Sequence, residues 1–305
     1  MSFITGVSFQ CVDPPDEFCR MVKEVEDLGY DHLWLADSSL HARYVYSYLT
    51  LAAVNSDRLK LGTNCTHPHT RHPAINVNAF VTVNEISGGR VTIGVGAGDS
   101  PVMELGKKIA RLKEMRQWIE VARGLLAGER FDYEGDYFSL HGGGIHHGLE
   151  GVEAPKIYMT ASGPKMLALA GELADGVICH PGAFREGLEF ALSHVREGAE
   201  RAGRSMEDID FCWQVFGAIE DDRAVAREKA RALAAWFPKR SPRYCELAGI
   251  DKELVTKIRD AYGGGEFHEA QAAIRLTTDE MVDKFVVAGN VDDWRERIEM
   301  APVES

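Results

Sequence analysis

The chain has 305 residues, an apolar share of 45% and a formal net charge of −13. That share is ample for a packed core and argues against disorder, and the length fits one large α/β domain or two small ones. The acidic balance excludes nucleic acid as a partner unless a basic patch forms locally. Met1 to Gly6 lacks a basic segment followed by an apolar one, and no run approaches a membrane span. The six cysteines are scattered without a C-x-x-C pair. They read as reduced thiols of a cytoplasmic protein.

Gly6 to Phe9 reads as a short strand. Asp13-Pro14-Pro15 then starts a helix, with Asp13 as its cap, and Gly29 ends it. His32 to Ala36 is a strand, 45–54 a helix, and Leu59 to Asn64 a strand. Pro73 opens a helix that stops at Ser87-Gly88-Gly89. Val91 to Val95 is a strand, and Met115 to Leu126 marks a helix. Residues 131–150 break this rhythm. Phe131 to Leu140 reads as a hairpin turning near Gly135, then a glycine-histidine loop with His141, His146 and His147 follows. The excursion is a candidate lid. Lys156 to Thr160 resumes as a strand, with a helix from Pro164 to Ala174, a strand over Gly176 to Cys179 and a helix over 186–202. Phe211 to Ile219 is a strand, helices follow, and Gly263-Gly264-Gly265 is a loop.

This alternation predicts a parallel sheet, and seven strands favour a (β/α)8 barrel over a doubly wound sheet. Ala301 to Ser305 is too short and polar for a convincing eighth strand. The reading is one domain over residues 1–305.

Chemistry is sought at the carboxyl ends of the strands. Asp37 follows the second strand, before Ser38 and Ser39. It is a functional acid or ordinary turn chemistry. Asp99 ends Gly94-x-Gly96-x-Gly98-Asp99, a poor dinucleotide fingerprint because an acid takes the final glycine's place. The glycines there would let a flat ligand lie on the backbone. Asp99 would relay a proton or cap a helix. Ser162-Gly163-Pro164-Lys165 follows a strand and opens a helix, so it is a phosphate site or a plain strand-to-helix turn. His67, His69 and His72 match no standard zinc spacing, so no metal is expected and they read as turn-stabilising or ligand-contacting imidazoles.

The segments Gly62 to Pro73, Ser87 to Arg90 with Gly94 to Asp99, and Ala161 to Gly171 with Ala174-Asp175-Gly176 resemble the luciferase-like flavin and deazaflavin oxidoreductases. Within them the chain is most similar to the branch of methylenetetrahydromethanopterin reductases, which use coenzyme F420. The resemblance covers nearly the whole chain. It implies a TIM-like barrel of the bacterial-luciferase type and a cis peptide at Asn64-Cys65 that supports the cofactor ring. It places Asp99 and Asp37 at the chemistry. Around the cofactor it places Ser38, Asn64, Cys65, Thr66, Gly98, Ala161, Ser162, Gly163, Lys165 and His180. It also implies a homodimer acting on a small-molecule substrate. The chain has Ser8 where the branch often has a glutamate, and Ser38 where related enzymes have a histidine, which leaves Asp99 as the remaining acid. The alternatives are a monooxygenase using FMN and a non-catalytic flavin-binding relative.

Overall fold

The computed structural model describes residues 4–38, 40–262 and 270–299. Ser39, the Gly263-Gly264-Gly265 loop and the Ala301 to Ser305 tail lie outside them. In chain order the first elements are β1 (Gly6–Gln10), α1 (Pro15–Asp27), β2 (His32–Ala36), α2 (Val45–Val54), β3 (Lys60–Thr63), α3 (Pro73–Ser87) and β4 (Val91–Gly96). Then come α4 (Ser100–Glu104), α5 (Leu112–Leu126), β5 (Phe131–Glu134), β6 (Ser139–Gly143), β7 (Lys156–Thr160), α6 (Pro164–Leu173) and β8 (Gly176–Cys179). The remainder is α7 (Arg185–Arg201), β9 (Asp210–Trp213), β10 (Gly217–Ile219), α8 (Arg223–Ala234), α9 (Trp236–Arg240), α10 (Pro242–Leu247), α11 (Lys252–Tyr262), α12 (Gln271–Leu276), α13 (Asp279–Phe285), β11 (Val287–Gly289) and α14 (Val291–Glu299).

The chain divides into two compact units. The first is Met1–Ala161, Leu169–Ile178 and Gly198–Asp210, and the second is Ser162–Ala168, Cys179–Glu197 and Phe211–Ser305. The main sheet has the order β1-β2-β3-β4-β7-β8-β9, and the strands from β1 to β8 pair in parallel. These are the seven strands expected, with the last cut short. The strand read over 211–219 is broken into β9 and β10, and β10 pairs instead with β11 in a separate parallel ladder. No eighth strand joins the main sheet among the described residues.

In the first unit, large and small residues alternate across neighbouring strands. A Cβ at Gly62 would overlap the Trp34 ring, and one at Gly176 would lie 2.7 Å from the Tyr158 ring. Both rings are nearly buried, so these glycines leave the space the aromatics fill. Helix α1 begins with Pro14 at its N-cap position, and no side chain caps it. The Asp13 cap is therefore not formed; the Asp13 carbonyl instead accepts from the Tyr48 hydroxyl at 2.6 Å. Gly29 does end the helix, with φ +91°.

Arg90 closes the amino end of β3 and β4. Its guanidinium donates to the carbonyls of Ser87 (2.7 Å), Leu59 (2.7 Å), Ala53 (3.0 Å) and Ser56 (2.8 Å), and to the Ser56 hydroxyl at 3.1 Å. The fork of donors suits arginine alone among the cations. Gly88, at φ +70°, ends α3 and turns the chain into this corner.

The excursion is a hairpin, as expected, but it is pinned rather than hinged. The Gln117 side chain on α5 accepts from the Tyr137 N–H at 3.1 Å, and the Tyr133 hydroxyl donates to Glu120 at 2.6 Å. A Cβ at Gly124 would meet the Phe131 ring, so β5 lies flat on α5. After the hairpin, Asn84 of α3 donates to the Glu153 carbonyl at 2.8 Å. These anchors argue against a lid. His141, His146 and His147 are exposed.

Candidate active site

The first unit gathers strand ends at one place. Between β3 and β4 the register pairs Leu61 with Val91 and Gly62 with Thr92; the ladder then resumes at Thr66 with Val95. Three residues, Thr63 to Cys65, therefore oppose two, Ile93 and Gly94. This is a β-bulge at the carboxyl end of β3. The Asn64-Cys65 peptide inside it is cis, as the resemblance implied.

The glycines after β4 make this bulge fit. A Cβ at Gly94 would overlap the Thr63 carbonyl oxygen, and one at Gly96 would stand 2.5 Å from the Cys65 Sγ. Two of the three glycines that looked available to a flat ligand are thus occupied by the protein's own bulge. Gly98 is different. It takes φ +92°, and a Cβ there would press on Val102 and approach His67. The Thr63 hydroxyl ties the bulge down, donating to the Gly94 carbonyl at 2.7 Å and accepting from the Gly94 N–H at 3.2 Å.

Asp37 is buried beneath the same place. Arg71 donates to its carboxylate at 2.6 Å and 3.3 Å, and the Thr66 hydroxyl donates at 2.8 Å. The Arg71 guanidinium lies 4.9 Å from the Tyr44 ring centre and 5.0 Å from that of Tyr46. The Tyr46 hydroxyl donates to Asn76, whose amide donates to Thr66 at 3.4 Å. Oδ2 of Asp37 thereby holds Thr66 immediately after the bulge, while Arg71 engages both carboxylate oxygens. The strand-end position alone did not reveal that pairing.

The rest of the Thr70-Arg71-His72-Pro73 motif also has a structural explanation. His72 Nδ1 accepts from the Ala74 N–H at 3.2 Å and caps α3, with Pro73 as its first residue. Nε2 therefore carries the proton and donates to the Ser139 carbonyl at 3.0 Å. His67 is buried, with Nδ1 3.2 Å from the Thr70 hydroxyl and Nε2 buried without a partner. Burial lowers its pKa, so it is neutral near pH 7. It is the group that sequence reasoning placed only as a turn or ligand-contacting imidazole.

Cys65 is half-buried, and desolvation pushes its thiol up to about 11, with Asp37 and Asp99 adding to the rise. It is therefore no thiolate nucleophile at neutral pH. Asp99 stands at the N-cap position of α4, but its side chain makes no capping hydrogen bond. The capping role left open for it is not formed. Asp99 is close enough to the Cys65 thiol to act on it electrostatically. Ser38 is half-buried after β2, and its carbonyl accepts from the His41 N–H at 2.8 Å. Ala161 is buried after β7, its N–H bonded to the Ile178 carbonyl at 3.0 Å.

The second unit holds Ser162, Gly163, Lys165 and His180. The Gly163 carbonyl accepts from the N–H groups of Met166 (3.0 Å) and Leu167 (2.9 Å), so Gly163 opens α6. A Cβ on Gly163 would meet nothing within 4 Å. No packing requires glycine there. Lys165 is exposed. His180 is buried against Phe216, with ring centres 3.9 Å apart, and Phe237, at 4.9 Å. Burial lowers its pKa to about 4. Its Nδ1 donates to the Gln214 carbonyl at 2.8 Å, which leaves Nε2 as a buried lone pair without a partner. Such an atom accepts from a hydroxyl or N–H and does not contact an anion.

A family model described as luciferase-like monooxygenase matches residues 4–302. The 5,10-methylenetetrahydromethanopterin reductase of Methanolobus tindarius is 35% identical over 299 residues, covering 96% of this chain and 89% of its own. The F420-dependent glucose-6-phosphate dehydrogenase of Beutenbergia cavernae is 33% identical over 291 residues, covering 90% of this chain and 80% of its own. Among solved structures, the coenzyme F420 dependent tetrahydromethanopterin reductase of Methanopyrus kandleri matches with a TM-score of 0.83 at 30% identity, over 97% of this chain and 88% of its own. The fold is the TIM-like α/β type of that structure, with the expected doubt about an eighth strand upheld among the described residues. With its bulge after β3 and a family match over 4–302, the chain belongs to the luciferase-like family.

Proposed function

We propose that the chain is an oxidoreductase that transfers a hydride between coenzyme F420 and a small organic substrate. The observation that supports it most is the bulge at Asn64-Cys65, with Asp99 close by and a buried ion pair fixing the residue that follows. The strand-end residues fit a planar heterocycle. Gly98 and Asn64 offer backbone at the surface of the bulge, and Asp37 serves as its foundation rather than as an acid. In the second unit, the open backbone of Gly163 with Lys165 suits a phosphate, and the orphaned Nε2 of His180 suits a hydroxyl. Bound F420 supplies a hydride-carrying carbon that reacts poorly with oxygen. The protein's share is to orient, to exclude water and to hold a proton at Asp99.

Asp99→Asn is expected to bind F420 as the parent does and to lose about 10²- to 10⁴-fold in kcat. Fluorescence titration and steady-state rates with reduced F420 read the two effects separately. Full turnover in the variant would remove Asp99 from the chemistry. The competing cofactor is tested by the same titration: tight FMN binding with no response to F420 would favour a monooxygenase. Relatives named for a pterin and for a sugar phosphate leave the substrate to be found by an acceptor panel.

The domain reading, one domain over residues 1–305, leans on the single family match over 4–302. The homodimer reading is supported by α2 and α3. Both helices carry apolar residues on every side, and Val54, Ile75 and Ile86 are exposed on them. Helices of this kind are normally covered. A second copy is the proposed cover. Light scattering should give twice 33.7 kDa, and Ile75→Glu should return the chain to that single mass. A monomeric parent would end this reading. No helix among the described residues is long and apolar enough to cross a membrane. A cytoplasmic location agrees with the free cysteines.

A further inference from the structure

The Ser162-Gly163 turn of the second unit is fastened from behind by a buried phenol. Tyr244, on α10, is fully buried in the hydrophobic core of that unit. Its hydroxyl donates to the Ser162 carbonyl at 3.1 Å. The Cys179 Sγ, at the end of β8, lies 3.6 Å from the same hydroxyl oxygen. Burial pushes the Cys179 thiol up to about 12, so it keeps its proton. The phenol's proton is committed to Ser162, and the thiol therefore donates to the phenol oxygen. The result is a one-way chain from Cys179 S–H to Tyr244 O–H to the Ser162 carbonyl.

That chain fixes the orientation of a peptide plane. The cis bond among the described residues is Asn64-Cys65, so the Ser162-Gly163 bond is trans. In a planar trans peptide the carbonyl and the following N–H point in opposite directions. A Ser162 carbonyl held on Tyr244 turns the Gly163 N–H away from the core. On the outer side Gly163 is exposed, and a Cβ would find nothing within 4 Å. Beyond it α6 begins, with its amide ends and partial positive charge.

We propose that Tyr244 is a positioning residue that presets the Gly163 amide for a phosphate ester, with Cys179 orienting the phenol. The proposal rests on the phosphate-binding reading of this turn given above. Tyr244 acts only through Ser162 and touches no ligand itself.

The test compares F420 with its phosphate-free chromophore, the deazaflavin bearing only the ribityl chain, by fluorescence titration. The parent should prefer F420. Tyr244→Phe keeps the ring that packs on Phe190 and removes the hydroxyl. It is expected to weaken F420 about five- to tenfold and to leave the stripped ligand within about twofold. The KM for F420 should rise in step while kcat at saturation holds. Cys179→Ala should move the same preference in the same direction by a smaller factor, and it carries the test if Tyr244→Phe does not fold. A parent preference that both variants leave intact would overturn the role of Tyr244 alone. Equal weakening of both ligands would overturn it too, by showing a general loss of structure. A parent that binds both ligands equally would overturn the phosphate site together with its anchor.

Discussion

Gly94→Ala is expected to cost about 3 kcal/mol of stability and to lower Tm by about 6 °C or more. The argument is steric. The added methyl would overlap the Thr63 carbonyl oxygen, which is backbone and not the tip of a flexible side chain. Thr63 cannot retreat without losing the two bonds its hydroxyl makes to Gly94. The Thr66 N–H, which bonds the Gly94 carbonyl at 2.9 Å, would be pulled with it. The bulge would shift, and F420 affinity is expected to fall even in the fraction that folds. Gly163→Ala is the matched control for folding, because the space there is open. Thermal melts of the two variants, followed by F420 titration, read both effects. A Gly94→Ala protein with parental Tm and affinity would show that the bulge yields freely and is no brace.

The second large effect is expected at Arg71. Arg71→Met strands the Asp37 carboxylate in a site where its side chain is 2% exposed. Breaking one side of a buried pair costs about 3–5 kcal/mol, because the remaining charge has no partner. Arg71→Lys should recover little: an ammonium cannot reach both oxygens and still lie against the Tyr44 and Tyr46 rings. Asp37→Asn combined with Arg71→Met should be more stable than Arg71→Met alone. Urea melts of this cycle at pH 7 decide the matter. A single variant that loses nothing at pH 7 would mean that the pair is dispensable.

Much of the barrel was legible in the sequence because its strands are short, apolar and regularly separated by helices. His32 to Ala36 and Val91 to Val95 are almost wholly buried, which is why they read as plain apolar runs. The Val287–Gly289 strand was not read, since three residues carry no period. The break between β9 and β10 was missed for a related reason: an apolar run shows no sign of where its partner changes. In the site, the cis peptide was reached through resemblance, and nothing in the residue types of Asn64 and Cys65 encodes it. The work of Gly94 and Gly96 was misjudged because a glycine vacated for a ligand and one vacated for a neighbouring strand look the same in sequence. Asp37 looked like an acid awaiting a substrate; its partner Arg71 is 34 positions away, and only tertiary structure brings them together. The Tyr244 contact with Ser162 spans 82 positions and lay beyond any local pattern.

The corner built by Arg90 gathers five acceptors at the rear of β3 and β4, while the bulge and Asp99 occupy the front. Durability and selectivity are thus assigned to opposite rims of the same strands. Front loops can drift toward new acceptor molecules without loosening the rear clasp, and a lesion in the clasp would reduce how long the enzyme lasts rather than what it chooses.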